Sequence, residues 1–364
     1  MKKILLILIL SISLCLSLFL YFSKPNQVSF IAVGDNIIHE KVFTFAKESN
    51  TYNFKPCYKH LKNYISNHDL AYINQETLIA GDQYGIRGYP NFNSPEALIN
   101  DLQDTGFNMI SGATNHSLDL GKDALLSSTR IWKQHPEILF SGLYENQEDR
   151  QTIRVIEKNS IRFSFLSYTF GINETSNYQT IQAQLKASPY VLGQLDKKQI
   201  KEDVQKARKQ SDVIIVAVHW GKENDTSISP LQKEYAHYFA NLGVDVVIGN
   251  HPHLIQPIIK IKNTLIIYSL GNFLSTMKGV YNQLEGMISF NFIKKKKKIM
   301  IENITYIPLI NHYSDHIVTI YPLKEYTSTL ASKHSILKDH IGIIKEFKNH
   351  IKQTITNKDI DIEM

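Results

Sequence analysis

Short apolar runs that each end in an acid, an amide or an imidazole recur along this chain. That recurrence constrains the fold more than any other feature. Val28–Val33 runs into Gly34-Asp35, and Ala71–Asn74 ends at Asn74-Gln75-Glu76. Phe107–Ile110 leads to Ala113-Thr114-Asn115-His116, and Phe163–Tyr168 reads as a fourth run. Asp212–Val218 ends at His219-Trp220-Gly221, Val244–Ile248 at Gly249-Asn250-His251-Pro252-His253, and Thr264–Tyr268 at Ser269-Leu270-Gly271-Asn272. Near-continuous apolar runs of this length suit strands buried on both faces. Helical spacing predicts helices over 94–105, which opens on a Ser-Pro-Glu start, and over 122–134, 197–210 and 231–242. Strands alternating with helices predict an α/β layered domain. Polar residues collected at strand ends, rather than scattered over a surface, mark the place where α/β folds bind ligands.

The two ends of the chain read differently. Met1-Lys2-Lys3 precedes an uninterrupted apolar or small stretch, Ile4 to Phe22. Two positive charges before an apolar core form a signal or signal-anchor pattern, and the core approaches the ~20 residues that span a bilayer. No small-x-small cleavage site stands near Phe22, and Leu14 before Cys15 is too bulky for a lipobox. A single-pass membrane anchor over residues 4–22 is therefore expected. The body would then lie outside the cytoplasm; secretion after signal cleavage is the alternative. Residues 1–27 form this anchor and its stalk, 28–324 the main domain, and 325–364 a helical C-terminal appendage. In the appendage, Leu330 to Ile355 shows helical apolar spacing with many lysines, a pattern of packing on its own domain or of lying on a membrane.

With 364 residues, 43% of them hydrophobic, the chain can bury a sizeable core. Five consecutive lysines, Lys294 to Lys298, fall between two strand-like segments, 286–293 and 299–307, and predict a hairpin tip. Apart from that run no basic and aromatic interleaving appears, and no glycine-rich phosphate loop, so a nucleic-acid partner is not expected. Cys57 stands alone in the body, which leaves neither a disulfide nor a thiolate metal site there.

The strand-end polar set comprises Asp35, His39, Asn74, Glu76, Asn115, His116, His219, Glu223, His251 and His253. Two divalent ions close together take mixed carboxylate, imidazole and amide ligands, with a carboxylate or water between them. The absence of cysteine disfavours a structural zinc site. The histidine content suits Zn, Mn or Fe better than Mg. Each element taken singly has a plain structural explanation: Gly34-Asp35 as a turn, Asn115-His116 as a helix cap beside a core histidine, His219-Trp220 as a buried polar pair. Their joint placement at successive strand ends points to a metal centre.

In order, Gly34-Asp35, Asn74-x-Glu76, Gly88-Tyr-Pro-x-Phe-x-Ser-Pro95, Asn115-His116-x-x-Asp119-x-Gly121, His219-Trp220-Gly221-x-Glu223, Gly249-x-His251-Pro252-His253-x-x-Gln256-Pro257 and Tyr268-Ser269-Leu270-Gly271-Asn272-Phe273 resemble the CapA-type capsule or poly-γ-glutamate synthesis proteins. The resemblance spans roughly residues 28 to 310. That family is similar to the calcineurin-like metallophosphoesterases. The resemblance implies a four-layer α/β/β/α sandwich holding two divalent metal ions at its strand ends. It implies that Asp35 and His253 bind the first metal and that Asn115, His219 and His251 bind the second. Glu76 would stand where the superfamily usually has a bridging aspartate. His116 would assist the leaving group, with Asp119 beside it in the catalytic set. Asn74, Glu223 and Asn272 are further candidates without an assigned role. The Asp-x-His opening of the phosphoesterases is absent here; His39 follows Asp35 by four residues, and the spacing leaves its reach to a metal open.

Two functions follow. One is a membrane-anchored metallohydrolase, in which the ions lower the pKa of a bound water and His116 serves the leaving group; its target would be a phosphoester or an amide of an anionic γ-glutamyl polymer. The other is a non-catalytic subunit of a polymer synthesis or export complex, with membrane synthase components as partners; a phosphodiesterase unrelated to capsule is a variant of the first.

Overall fold

The apolar runs become the parallel strands of two sheets. In the computed structural model, which describes residues 26–364 except 175, 176 and 297, the strands that matter here are β1 (Asn26–Asn36), β2 (Leu70–Gln75), β3 (Met109–Ser111), β4 (Ile161–Thr169), β5 (Val213–His219), β6 (Val246–Asn250), β7 (Asn272–Leu274), β8 (Leu284–Lys295) and β9 (Lys298–Tyr313). The nine-stranded sheet runs Val318–Pro322, β9, β8, β1, β2, β3, Leu139–Ser141, with β7 added beside β1 and Ile360–Ile362 beside β9. The six-stranded sheet runs Ile258–Ile261, Thr264–Ile267, β6, β5, β4, Arg154–Lys158. The expected hairpin around the lysine run is β8–β9, with Lys295 opposite Lys298.

β5 shows why these strands read as continuous apolar runs. Its Val213, Ile215 and Ala217 join Phe30, Ala32 and Tyr72 of the first sheet in one core. Its alternate residues Ile214, Val216 and Val218 pack on Ile200, Val204, Ala236 and Phe239 in another. These come from the helices α3 (Lys197–Gln210) and α4 (Pro230–Leu242). A third core lies on the outer face of the first sheet, where Ile31, Val33, Ile73 and Ile110 meet α1 (Ala97–Thr105) and α2 (Gly121–Lys133). Three cores in this order make four layers, helix, sheet, sheet and helix. Period-two alternation with both faces apolar is what such a sandwich demands of its central strands.

The C-terminal segment differs from the single helical stretch expected over Leu330–Ile355. It forms a short turn of helix, Ser328–Ala331, then α5 (Ile343–Thr354), with Gly342 in the left-handed conformation between them (φ 78°). Ile343, Phe347, Ile351 and Ile355 enter the core between the sheets. Ile360–Ile362 then pairs in parallel with β9. The apolar spacing was real, but its contacts are made by two helices and a strand. The expected anchor over residues 4–22 lies outside the described residues, and no described helix is long and apolar enough to cross a membrane.

Candidate metal centre

β1, β2 and β3 are parallel in the first sheet, and β4, β5 and β6 in the second. Their carboxyl ends meet at one edge of the sandwich, and the polar residues that follow each run face one another across the gap. At Asp35, β1 changes neighbours. Its pairing with β8 ends at Val33, and β7 takes over with Asn272 opposite Asp35. Gly34 permits the exchange: a Cβ there would lie 1.9 Å from the Gly271 carbonyl oxygen. Gly249 plays the same part in β6, where a Cβ would lie 2.0 Å from the Tyr268 carbonyl oxygen.

Asp35 is fully buried and organises the centre. Its Oδ1 accepts from Asn74 Nδ2 at 2.8 Å, and its Oδ2 accepts the His251 backbone N–H at 3.0 Å, across 216 residues of chain. The second bond holds the His251-Pro252-His253 turn, in which both histidines adopt positive φ (96° and 58°). Such backbone costs on the order of 1–3 kcal/mol per residue and collects at functional sites. Here it swings both imidazoles inward. His253 Nδ1 comes within 3.2 Å of Asp35 Oδ2, and His253 Nε2 within 3.7 Å of Glu76 Oε1. The ligand atoms of Asp35, Glu76 and His253 converge on one point, and those of Glu223, His251 and His253 on a second. Nearby, His219 Nε2 lies 2.9 Å from Asn115 Oδ1, and the His219 and His251 rings are 4.7 Å apart.

The electrostatics of this cluster are those of a cation site. Both oxygens of Glu76 are buried without a hydrogen-bond partner, as is Nδ1 of His251. Among the described residues no Lys or Arg forms an ion pair with Asp35, Glu76 or Asp119; their only ion-pair partners are histidines. Burial pushes the Glu76 carboxyl well above the usual range, reinforced by Asp35, Glu223 and Asp119. Burial works against protonating His253, but Glu76 and Asp35 beside it prevail and push it up to about 9. Burial and the neighbouring imidazoles hold His219 and His251 well below the ordinary histidine value, as neutral donors. An unpartnered buried carboxylate is costly unless an ion or proton compensates it. The residues present therefore fit divalent metal.

His116 stands beside this cluster with both ring nitrogens placed. Nδ1 lies 2.7 Å from Asp119 Oδ2, which also accepts the Phe92 N–H at 2.9 Å. Nε2 is left 4.0 Å from Glu76 Oε1. Phe92 packs edge-on against the ring at 4.7 Å. This is an imidazole oriented by a carboxylate with its other nitrogen aimed at the cluster, the arrangement of a general acid or base.

Three of the residues singled out from sequence take other parts. His39 is not among the converging ligands: its Nδ1 accepts the Thr276 N–H at 3.2 Å and its ring rests 5.5 Å from Phe92. Burial, helped by His253 and His116, pushes it down to about 4. Asn74 is spent on orientation, donating to Asp35 while its Oδ1 accepts from Ser111 at 2.6 Å. Asn272 donates to the Asn282 carbonyl at 3.2 Å and leaves its Oδ1 buried and unpartnered. Glu223, exposed, gains a place through its convergence with the two turn histidines. Sequence reasoning missed Asn173, whose Oδ1 accepts from Asn115 Nδ2 at 2.8 Å and whose amide lies 3.0 Å from His116 Nδ1. The signal was present: Asn173 follows the fourth apolar run, β4, as the other polar residues follow theirs, but a few residues farther on.

Residues 29–277 match the family described as bacterial capsule synthesis protein PGA_cap. The chain is similar to the capsule biosynthesis protein CapA of Bacillus anthracis, at 27% identity over 255 residues, covering 69% of this chain and 60% of that protein. It is also similar to the PGA biosynthesis protein CapA of Bacillus subtilis (strain 168), at 30% identity over 173 residues, covering 47% of this chain and 43% of that protein. The chain thus spans about half the length of these curated relatives. Among solved structures, the calcineurin-like phosphoesterase YfkN from Bacillus subtilis aligns with a TM-score of 0.46 at 12% identity, covering 89% of this chain and 100% of that one.

Proposed function

The chain belongs to the bacterial capsule synthesis protein PGA_cap family, and we propose that it is a metal-dependent hydrolase-type component of anionic cell-envelope polymer synthesis. In this reading residues 4–22 hold it at the membrane with its body outside the cytoplasm. The observation that carries the proposal is the convergence of Asp35, Glu76 and His253 around a carboxylate whose two oxygens are buried and unpartnered. Asp35 and His253 would hold one ion, Asn115, His219 and His251 a second, and Glu76 would stand between them. The mixed oxygen and nitrogen donors, without thiolate, suit Mn, Zn or Fe. Ions bound there would lower the pKa of a coordinated water and offset charge on an attacked centre.

The chain's own residues supply the rest. Asp35 grips the histidine turn through its backbone, so the ligands are placed before any ion arrives. Asp119 fixes the His116 ring and leaves Nε2 to hand a proton to a departing oxygen or nitrogen. A groove of about 1170 Å³ opens beside His39; it carries Lys278 and Lys338 as well as Glu40 and a Lys41–Asp315 pair at 3.4 Å. The target is a phosphoester or a γ-glutamyl amide.

Elemental analysis together with turnover tests this. The purified chain should carry close to two transition-metal ions and hydrolyse either a generic phosphodiester or a γ-glutamyl amide. His253→Ala should lose most of the metal and at least ~100-fold in rate, since it removes a ligand shared by both converging groups. Full metal with turnover of neither substrate, alongside co-purification with membrane synthase components, would replace the hydrolase reading with that of a non-catalytic subunit.

A further inference from the structure

The strand that delivers Asp35 to the metal centre also fixes where the N-terminal apolar segment enters the fold. β1 begins at Asn26, and Asn26 pairs with Lys294, the first residue of the five-lysine run. The tip of the β8–β9 hairpin therefore lies beside the point at which residues 4–22 would leave the membrane. The neighbouring turn completes this end of the sandwich: Asn159 Nδ2 donates to the Gln27 carbonyl at 2.8 Å, and Lys294 Nζ to the Ser160 carbonyl at 3.2 Å. Lys294 is paired with Asp212 at 2.9 Å, and Lys295 lies 3.8 Å from Glu302. Lys296 and Lys298 are exposed and have no acidic partner among the described residues.

We propose that the Lys294–Lys298 hairpin tip is a contact surface for anionic lipid headgroups, pressed against the bilayer by the apolar segment that enters beside it. The proposal rests on the anchor reading above. Two independent features select this occupant. The tip is a concentrated positive charge, and the apolar run of residues 4–22, read above as an anchor, ends a few residues before Asn26 and would bring it to a membrane surface. A single lysine contributes only a few-fold to binding a charged bilayer. An anchored domain needs no more, because its contact with the surface is intramolecular and the effective headgroup concentration is high. The tip lies far along a folded domain, so its charge does not oppose an outward body under the rule that governs short loops. The consequence is orientation. From Asn26 to Asp35 β1 extends about 30 Å at ~3.3 Å per residue. The metal centre would then face away from the bilayer at that height, towards a polymer emerging from it.

The test uses the full chain with Cys15→Ser, reconstituted into vesicles of phosphatidylcholine alone or with a quarter phosphatidylglycerol. A fluorophore is placed at Lys296→Cys or, at the opposite end, at Asp315→Cys, and a quencher sits at headgroup level. The chain should float with both vesicle types. The tip probe should be quenched several-fold more in the anionic vesicles, and this excess should vanish at 1 M salt and in Lys295→Gln/Lys298→Gln. The Asp315 probe should stay unquenched throughout. Flotation with equal tip quenching in both vesicle types, or with none, overturns the lysine contact and leaves the anchor standing. Failure to float with neutral vesicles overturns the anchor and the contact with it.

Discussion

Glu76 carries two oxygens without a hydrogen-bond partner, in a position with almost no exposure. A carboxylate so placed destabilises the metal-free protein and becomes favourable only when a cation meets it. Glu76→Gln preserves the shape and removes the charge. It should therefore cut metal content by at least half by elemental analysis, while raising the stability of the chelated protein by about 1–3 kcal/mol in denaturant unfolding. A purely structural Glu76 would show neither change. At this scale the sequence was informative because ligand chemistry resides in side-chain type. Asp35, Glu76, Asn115, His219, His251 and His253 could be nominated by their kind and by their place at run ends. His39 could not be sorted from them. Its spacing from Asp35 left its reach open, and its Nδ1 is taken by the Thr276 backbone, a partner 237 residues away.

The C-terminal segment shows what elements add. His334 is buried, donates from Nε2 to the Asn311 carbonyl at 2.9 Å, and accepts on Nδ1 from the backbone N–H groups of Ile336 at 2.9 Å and Leu337 at 3.2 Å. The two bonds accepted on Nδ1 require the neutral ring, and burial, outweighing the Asn311 bond that favours the charged form, pushes His334 down to about 4. His312, stacked edge-on at 5.1 Å, is pushed down to about 4 by burial and by His334. Because the folded values lie below the ordinary 6.5, this stabilisation is complete above about 6.5 and is lost as pH falls towards about 4. Hydrogen exchange in residues 334–355 should accelerate across that interval, by up to ~3 kcal/mol of lost protection, and much less in His334→Gln. Helical spacing alone suggested one helix here. Gly342 and the His334 bonds divide it, and neither can be weighed without knowing that β9 lies alongside.

At the scale of the whole molecule the candidate metal centre lies at the joint between two sheets, where a bound ion would act as a clasp. Asp35 lies in a strand of one sheet, with Glu76 and Asn115 just after two others; His219 ends a strand of the other sheet, with His251 and His253 just after its neighbour. An ion bound across that joint binds only the folded chain, and stabilises it by about 2.7 kcal/mol at a hundred times its dissociation constant. Chelation should therefore lower the melting temperature by about 5 °C or more, reversibly on adding metal, and should have no effect on Asp35→Asn/His253→Ala.

The sequence by itself determined the layered α/β class, the strand ends, the lysine hairpin and the kinds of candidate ligand. These follow from local periodicity and side-chain chemistry, which a few neighbouring residues carry. Tertiary structure decided which atoms converge, that Asn74 orients while Glu223 joins the cluster, that Asn173 belongs to the site, and that the lysine tip lies beside the chain's entry point. Those facts depend on how two sheets stack and on strand register between residues up to 268 positions apart, as Asn26 and Lys294 are. No short window of sequence contains that information, because packing of the sheets, not local preference, sets those distances.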